Sequence, residues 1–180
     1  MYGGLVAPPP RFSRTTKRII LASSVGFVLL AGWIAVDQLF MSPRTIDACR
    51  IEPGANCTFR NVSGVDLTGV DMSGAIFYKA GLVGTILVDA DLDQVNMYQA
   101  RLDGADLSGA VLVDGELYGA VMTRVTAIGT DFSGSNMSYV DLSGADLTGA
   151  NLLGVVDEGL KLDGATFLDT TMPDGTIRSD

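Results

Sequence analysis

The sequence predicts an all-β solenoid preceded by one N-terminal transmembrane α-helix, and three observations predict it. Large apolar residues recur at every fifth position from Val62 to Met172. Glycine follows many of them at a fixed distance of two. Near the N-terminus, residues 19–36 form an uncharged apolar run of 18 residues, IILASSVGFVLLAGWIAV.

Residues 1–18 read as a basic cytoplasmic arm, with Arg11, Arg14, Lys17 and Arg18 and three successive prolines that favour an extended, solvated chain. Residues 19–41, from Ile19 to Met41, read as a transmembrane signal-anchor helix interrupted only by Asp37 and Gln38. A helix of 18 to 23 residues spans about 27–35 Å, matching a hydrocarbon core of about 30 Å. A cleaved signal has a shorter apolar core and a small-x-small exit, which the stretch from Ile34 to Gln38 lacks. A buried soluble helix would show a polar face, and none is present. Four cations precede the run and Arg44 alone follows closely, so the positive-inside rule puts the N-terminus in the cytoplasm. Everything after Met41 is then extracytoplasmic, in a periplasm or a thylakoid lumen. Ala22, Ser23, Ser24 and Gly26 are the small residues that let this helix pack against others in the bilayer.

Residues 42–61 read as a linker and a disulfide-closed N-terminal cap. Cys49 and Cys57 flank the turn-rich stretch RIEPGAN. Thiols outside the cytoplasm tend to pair, and closing a loop of about nine residues restrains the unfolded chain by about 2.5 kcal/mol. Two free thiols in a reducing cytosol are the alternative.

Residues 62–172 carry the five-residue period. Of 23 positions stepping by five from Val62, 21 are large and apolar, and only Ala127 and Asp157 break the rule. Two residues before comes a column of mostly small residues, as at Ala75, Ala90, Ala105 and Ala120; two residues after, many steps carry glycine, as at Gly64, Gly104 and Gly144. Neither a helix of period 3.6 nor a strand of period 2 fits. One large and one small inward side chain per five residues suit a short straight piece and a corner, where glycine supplies the backbone freedom. Stacked turns then satisfy one another's backbone groups at about 4.8 Å. Ala127 predicts a thinned core, and Asp157 a coil that bulges or turns outward.

The strings DLSGADLTGANL at 141–152 and ADLSGA at 105–110 closely resemble the pentapeptide-repeat family. The resemblance implies that family's right-handed quadrilateral β-helix, with four pentapeptides per coil and a little under six coils. It also implies that residues 173–180, following Thr171 and Met172, are a C-terminal closure.

Composition narrows the chemistry. There is no histidine, so His-based acid/base pairs, nucleophile activation and metal ligation are excluded, and two cysteines cannot make a four-thiolate zinc site. The net charge is −9; from Thr45 onward it is −13, seven basic residues against twenty acidic. Such a rod does not hold nucleic acid by its phosphates. No cofactor and no enzyme activity are expected; an enzyme would need buried, paired carboxylates, and Asp157 with Glu158 is the nearest approach to them.

With 20 residues per coil, Tyr78, Tyr98 and Tyr118 stack in a vertical ladder, read either as an aromatic docking stripe or as ordinary cross-strand packing. Val83, Val88, Ile128 and Leu168 take equivalent outward positions on other faces. Asp66, Asp106 and Asp146 form one acidic column, separated by Ile86, Thr126 and Thr166; Asp71, Asp91 and Asp131 form the next. The expected function is a non-catalytic, membrane-anchored scaffold or accessory subunit whose extracytoplasmic β-helix binds or braces a partner membrane protein complex. The alternative, which the family resemblance supplies, is an acidic DNA-mimic rod binding a type II topoisomerase.

Overall fold

The computed structural model describes residues 45–179. The basic arm, the span 19–41 and its packing residues Ala22, Ser23, Ser24 and Gly26 lie outside them. Among the described residues no helix is long and apolar enough to cross a membrane.

Parallel bridges join residues 20 apart throughout, as in the series Asn56, Ile76, Asn96, Glu116, Asn136 and Val156. Each pentapeptide therefore forms one side of a four-sided coil, and the fold is a right-handed quadrilateral β-helix. Coils pair in both directions: Leu67 donates its N–H to the carbonyl of Ile86 at 2.7 Å, while Ile86 donates to Val65 at 2.9 Å. Within each corner a tight turn closes, for example from Ala80 N–H to Phe77 C=O at 3.0 Å. The corner residue takes a positive φ whether or not it is glycine, as at Gly144 (71°), Lys79 (52°) and Arg124 (54°). Glycine recurs at this slot because it alone enters the left-handed region without steric cost.

Four inward columns fill the interior. Side 1 supplies Cys57, Phe77, Met97, Leu117 and Met137, all fully buried, and side 2 runs from Val62 through Leu82 to Leu142. Side 3 runs from Leu67 to Phe167, and side 4 from Met72 to Leu152. The small column packs between them, with Ala75, Ala90, Ala100 and Ala110 fully buried. Ala127 is fully buried, and so is Phe132, the next inward residue of its coil.

Two expectations need correction. The ladder does not start at Val62: Asn56 already bridges to Ile76, and Cys57 occupies the first inward position of side 1. The five-residue pattern is hidden there because the inward residue is a cysteine rather than a leucine. Nor does the coil bulge at Asp157. Val156 bridges to Asn136 in register, and the Leu160 N–H closes the usual turn onto Asp157 at 3.0 Å. Asp157 is exposed in the last coil of its side, so its carboxylate takes an inward slot without being buried.

Both ends are closed by hairpins. At the N-terminus β1 (Thr45–Ile46) pairs antiparallel with β2 (Cys49–Arg50). The intervening Asp47 (φ 47°) and Ala48 (φ 59°) give the two left-handed residues of a type I′ turn. The Cys49–Cys57 disulfide, with Cα atoms 4.8 Å apart, ties this hairpin to the first coil. Asp47 reinforces the tie by accepting the Asn61 N–H at 2.8 Å. At the other end β3 (Thr170–Thr171) pairs with β4 (Ile177–Arg178), and the Arg178 guanidinium lies 3.8 Å from the centre of the Phe167 ring.

Candidate protein-binding surfaces

The tyrosines of side 1 form a stack. Tyr78 and Tyr98 have ring centroids 5.4 Å apart and planes 12° from parallel; for Tyr98 and Tyr118 the values are 5.2 Å and 7°. They sit just outside the inward column, so the coil repeat itself sets their spacing. Two rings absent from the sequence reading extend the ladder. Phe59 meets Tyr78 edge-on at 5.6 Å, and Tyr139 meets Tyr118 at 5.4 Å and 58°. Both stand on corner residues with φ of 58°, one position later than the other three. Strict 20-residue spacing points instead to Thr58 and Ser138, which is why they were missed.

Tyr139 donates a 2.6 Å hydrogen bond to the Glu158 carboxylate. That bond, and the negative charge of Glu158, hold its phenol above the usual 10.0. Room for the ring comes from Gly159, where a Cβ would stand 2.8 Å from a ring carbon. Phe59 is 68% exposed and Tyr139 49% exposed, so the ladder ends in accessible aromatic surface. Asp157 and Glu158 are both exposed, without the burial that acid catalysis by a carboxylate pair requires.

The acidic columns of sides 3 and 4 shape the backbone. Asp66, Asp106 and Asp146 each accept, through Oδ1, the N–H two residues on at 3.0 Å and the hydroxyl of the same residue (Thr68, Ser108 or Thr148) at 2.6–2.7 Å. Asp71, Asp91 and Asp131 accept the corresponding N–H at 3.0–3.1 Å. Asparagine does the same at Asn61, Asn96, Asn136 and Asn151. These are Asx turns, in which a short side chain with a carbonyl-type oxygen satisfies a corner N–H that the coil leaves over. The sequence shows the columns, but the capping geometry is visible only once the corners are folded.

Charge is distributed unevenly around the rod. Between residues 62 and 169 every cation (Lys79, Arg101, Arg124 and Lys161) belongs to side 1, side 2 or the corner that ends side 2. Arg101 pairs with Asp103 at 3.3 Å, and Lys161 with Asp141 at 3.6 Å. Sides 3 and 4 carry acids alone over that length. Among the described residues no group of three or more acidic, histidine or cysteine side chains is placed to hold a metal ion.

A family model described as pentapeptide repeats matches the chain in eight copies, over residues 54–87, 80–114 and 116–154. Among solved structures the chain is similar to Rfr23, a pentapeptide repeat protein from the cyanobacterium Cyanothece 51142. That likeness has 24% identity and a TM-score of 0.55, and covers 61% of this chain and 89% of that one. A pentapeptide repeat protein from the Arabidopsis thaliana thylakoid lumen aligns at 30% identity, covering 66% of this chain and 72% of its own, with a TM-score of 0.31. Full-length QnrB1, a plasmid-mediated fluoroquinolone resistance protein, aligns at 19% identity, covering 65% and 74%, with a TM-score of 0.30. No curated protein matches the chain. The matched repeats take in more than half of the sequence, and the 20-residue bridging is what such repeats build: the chain belongs to the pentapeptide-repeat family.

Proposed function

We propose that this protein is a non-catalytic, membrane-anchored scaffold whose β-helix lies on the extracytoplasmic side and braces a partner membrane protein complex. The observation that carries the reading is the ladder running along side 1 of a rod whose interior is filled with side chains. Enzyme sites form in concave pockets, and a packed coil offers its partners flat, periodic faces instead. Tyrosine is suited to such contacts, since its ring packs while its hydroxyl stays hydrogen-bonded or wet. Tyr78, Tyr98 and Tyr118 are the proposed docking stripe, and the anchor is the apolar segment 19–41. The Cys49–Cys57 bond, close behind that segment in sequence, supports an oxidising compartment.

The test is to solubilise membranes gently, capture the chain through a C-terminal tag, and identify what co-purifies. A photocrosslinking residue at position 98 should label the same protein that travels with the tag in stoichiometric amount. Recovery of the chain alone, with no crosslink, would overturn the reading.

A second reading is favoured by the cation-free sides 3 and 4: an acidic rod that mimics DNA and binds a type II topoisomerase. It requires the rod and the DNA to share a compartment. Inhibition of topoisomerase supercoiling by the purified repeat domain, together with free thiols at Cys49 and Cys57 in cells, would favour it over the first.

A further inference from the structure

Tyrosine is among the side chains most readily oxidised by one electron, and an oxidised phenol is a strong acid that must lose its proton. Side 1 places four tyrosines in one file. Tyr78, Tyr98, Tyr118 and Tyr139 follow one another with ring centroids 5.4, 5.2 and 5.4 Å apart, within the range of contacting aromatic pairs. At such separations the π systems touch, so an electron vacancy passes from ring to ring without crossing a gap. Phe59 ends the file beyond Tyr78 with a ring that has no hydroxyl proton to give up.

The two ends of the file carry opposite charges. The Lys79 ammonium lies 5.3 Å from the centre of the Tyr78 ring, whereas the Glu158 carboxylate accepts the Tyr139 hydroxyl at 2.6 Å. A vacancy is a positive charge, so Lys79 repels it from Tyr78 and Glu158 draws it to Tyr139. The proton is directed to the same place. Among the described tyrosines only Tyr139 donates its hydroxyl to a carboxylate, at a distance short enough for direct proton transfer. A carboxylate is far too weak a base to deprotonate a neutral phenol, but it takes the proton of an oxidised one.

We propose that side 1 is a one-electron relay, which takes an oxidising equivalent from a small one-electron oxidant at Tyr78 and holds it as a phenoxyl radical on Tyr139. One electron passes from Tyr139 through Tyr118, Tyr98 and Tyr78 to the oxidant, which is reduced. The Tyr139 O–H bond breaks, and its proton moves to Glu158, whose carboxylate becomes a carboxylic acid. This goes beyond the reading above and is independent of it, since neither the membrane anchor nor a protein partner enters the step.

The test uses the full chain in detergent with Arg60→Cys, at an exposed position next to Phe59, carrying a ruthenium polypyridyl label. Flash excitation with an electron-accepting quencher generates the oxidant at that end, and a spin trap with peptide mapping locates the radical. The trap adduct should fall on Tyr139 at least fivefold more than on any other tyrosine. Glu158→Gln keeps an acceptor for the hydroxyl but removes the base, and should cut the Tyr139 adduct at least fivefold. Tyr98→Phe with Tyr118→Phe keeps the packed rings but removes the two intermediate stations, and should cut it at least tenfold. With the same ruthenium complex free in solution, that double variant should keep its Tyr139 adduct, because the exposed Tyr139 ring is then reached directly. A loss there as well would mean an altered fold rather than a broken relay, and would overturn the proposal. So would a radical that stays at Tyr78, an adduct spread evenly over the tyrosines, or an unchanged Tyr139 adduct in either tethered variant.

Discussion

The hydroxyl of Ser135 donates a 2.5 Å hydrogen bond to the carbonyl of Leu112, 23 residues earlier in the chain and one coil down. The same bond recurs from Thr85 to Val62, Thr130 to Leu107 and Thr170 to Leu147, each from a fully buried side chain. These four residues replace alanine in the small inward column. They turn what looks like a flaw in the repeat into an axial clamp between coils. Among the described residues no buried side-chain nitrogen or oxygen is left without a partner.

Ser135→Ala tests the clamp. Ser135 also accepts the Gly115 N–H at 3.0 Å, so its removal weakens the hydrogen bonding of two buried backbone groups. A loss of about 1–2 kcal/mol is expected, read as a lower urea midpoint at unchanged slope.

Tyr98→Ala removes the central ring of the stack and both of its contacts, at 5.4 and 5.2 Å. Aromatic pairs contribute about 0.5–1.5 kcal/mol each beyond their buried area, so a loss of about 1–3 kcal/mol is expected in chemical denaturation. Tyr98→Phe should preserve stability. If the phenol hydroxyls serve docking, that variant will still lose partner capture, which separates packing from recognition.

Asp141 is held below its usual 3.8, first by hydrogen bonds from the Ser143 hydroxyl and N–H, then by Lys161. Because the folded-state value is depressed, its contribution to stability is fully present above the unfolded value. It is lost as pH falls through the folded one. Stability measured in urea from pH 7 downward should therefore decline below about pH 4 more gently in Asp141→Asn than in the parent.

Tyr139 behaves in the opposite sense. Its raised value means that the neutral phenol is favoured in the folded rod, a contribution present below 10.0 and lost as pH rises through the folded value. A titration followed by phenolate absorbance should show the Tyr139 phenol ionising above 10.0. Glu158→Gln should bring it back toward 10.0, because the charge that opposes ionisation has gone.

The rod was legible in the sequence because its core puts a large apolar residue at one slot of five and a small one at another. Leu82, Leu102 and Leu142 mark side 2 as plainly in the sequence as in the coil, and the ladder of Tyr78, Tyr98 and Tyr118 follows once the coil length is fixed. What escaped depends on local geometry. Phe59 and Tyr139 reach the ladder from a corner one residue out of phase. Cys57 carries the core column into the cap in a residue that reads as a disulfide half. Asp157 looks like a break in the pattern, yet it sits where no further coil covers it. The structural work of the acids was also hidden, since aspartate on a solvated face and aspartate capping a corner look alike until the turn is formed.

The central claim is that segment 19–41 tethers the rod on the far side of a membrane. A single cysteine in a C-terminal tag, exposed to a membrane-impermeant maleimide in intact cells stripped of their outer layers, tests it most directly. Labelling before lysis at the level reached after it is expected. A tag that reacts only once the membrane is broken would contradict it.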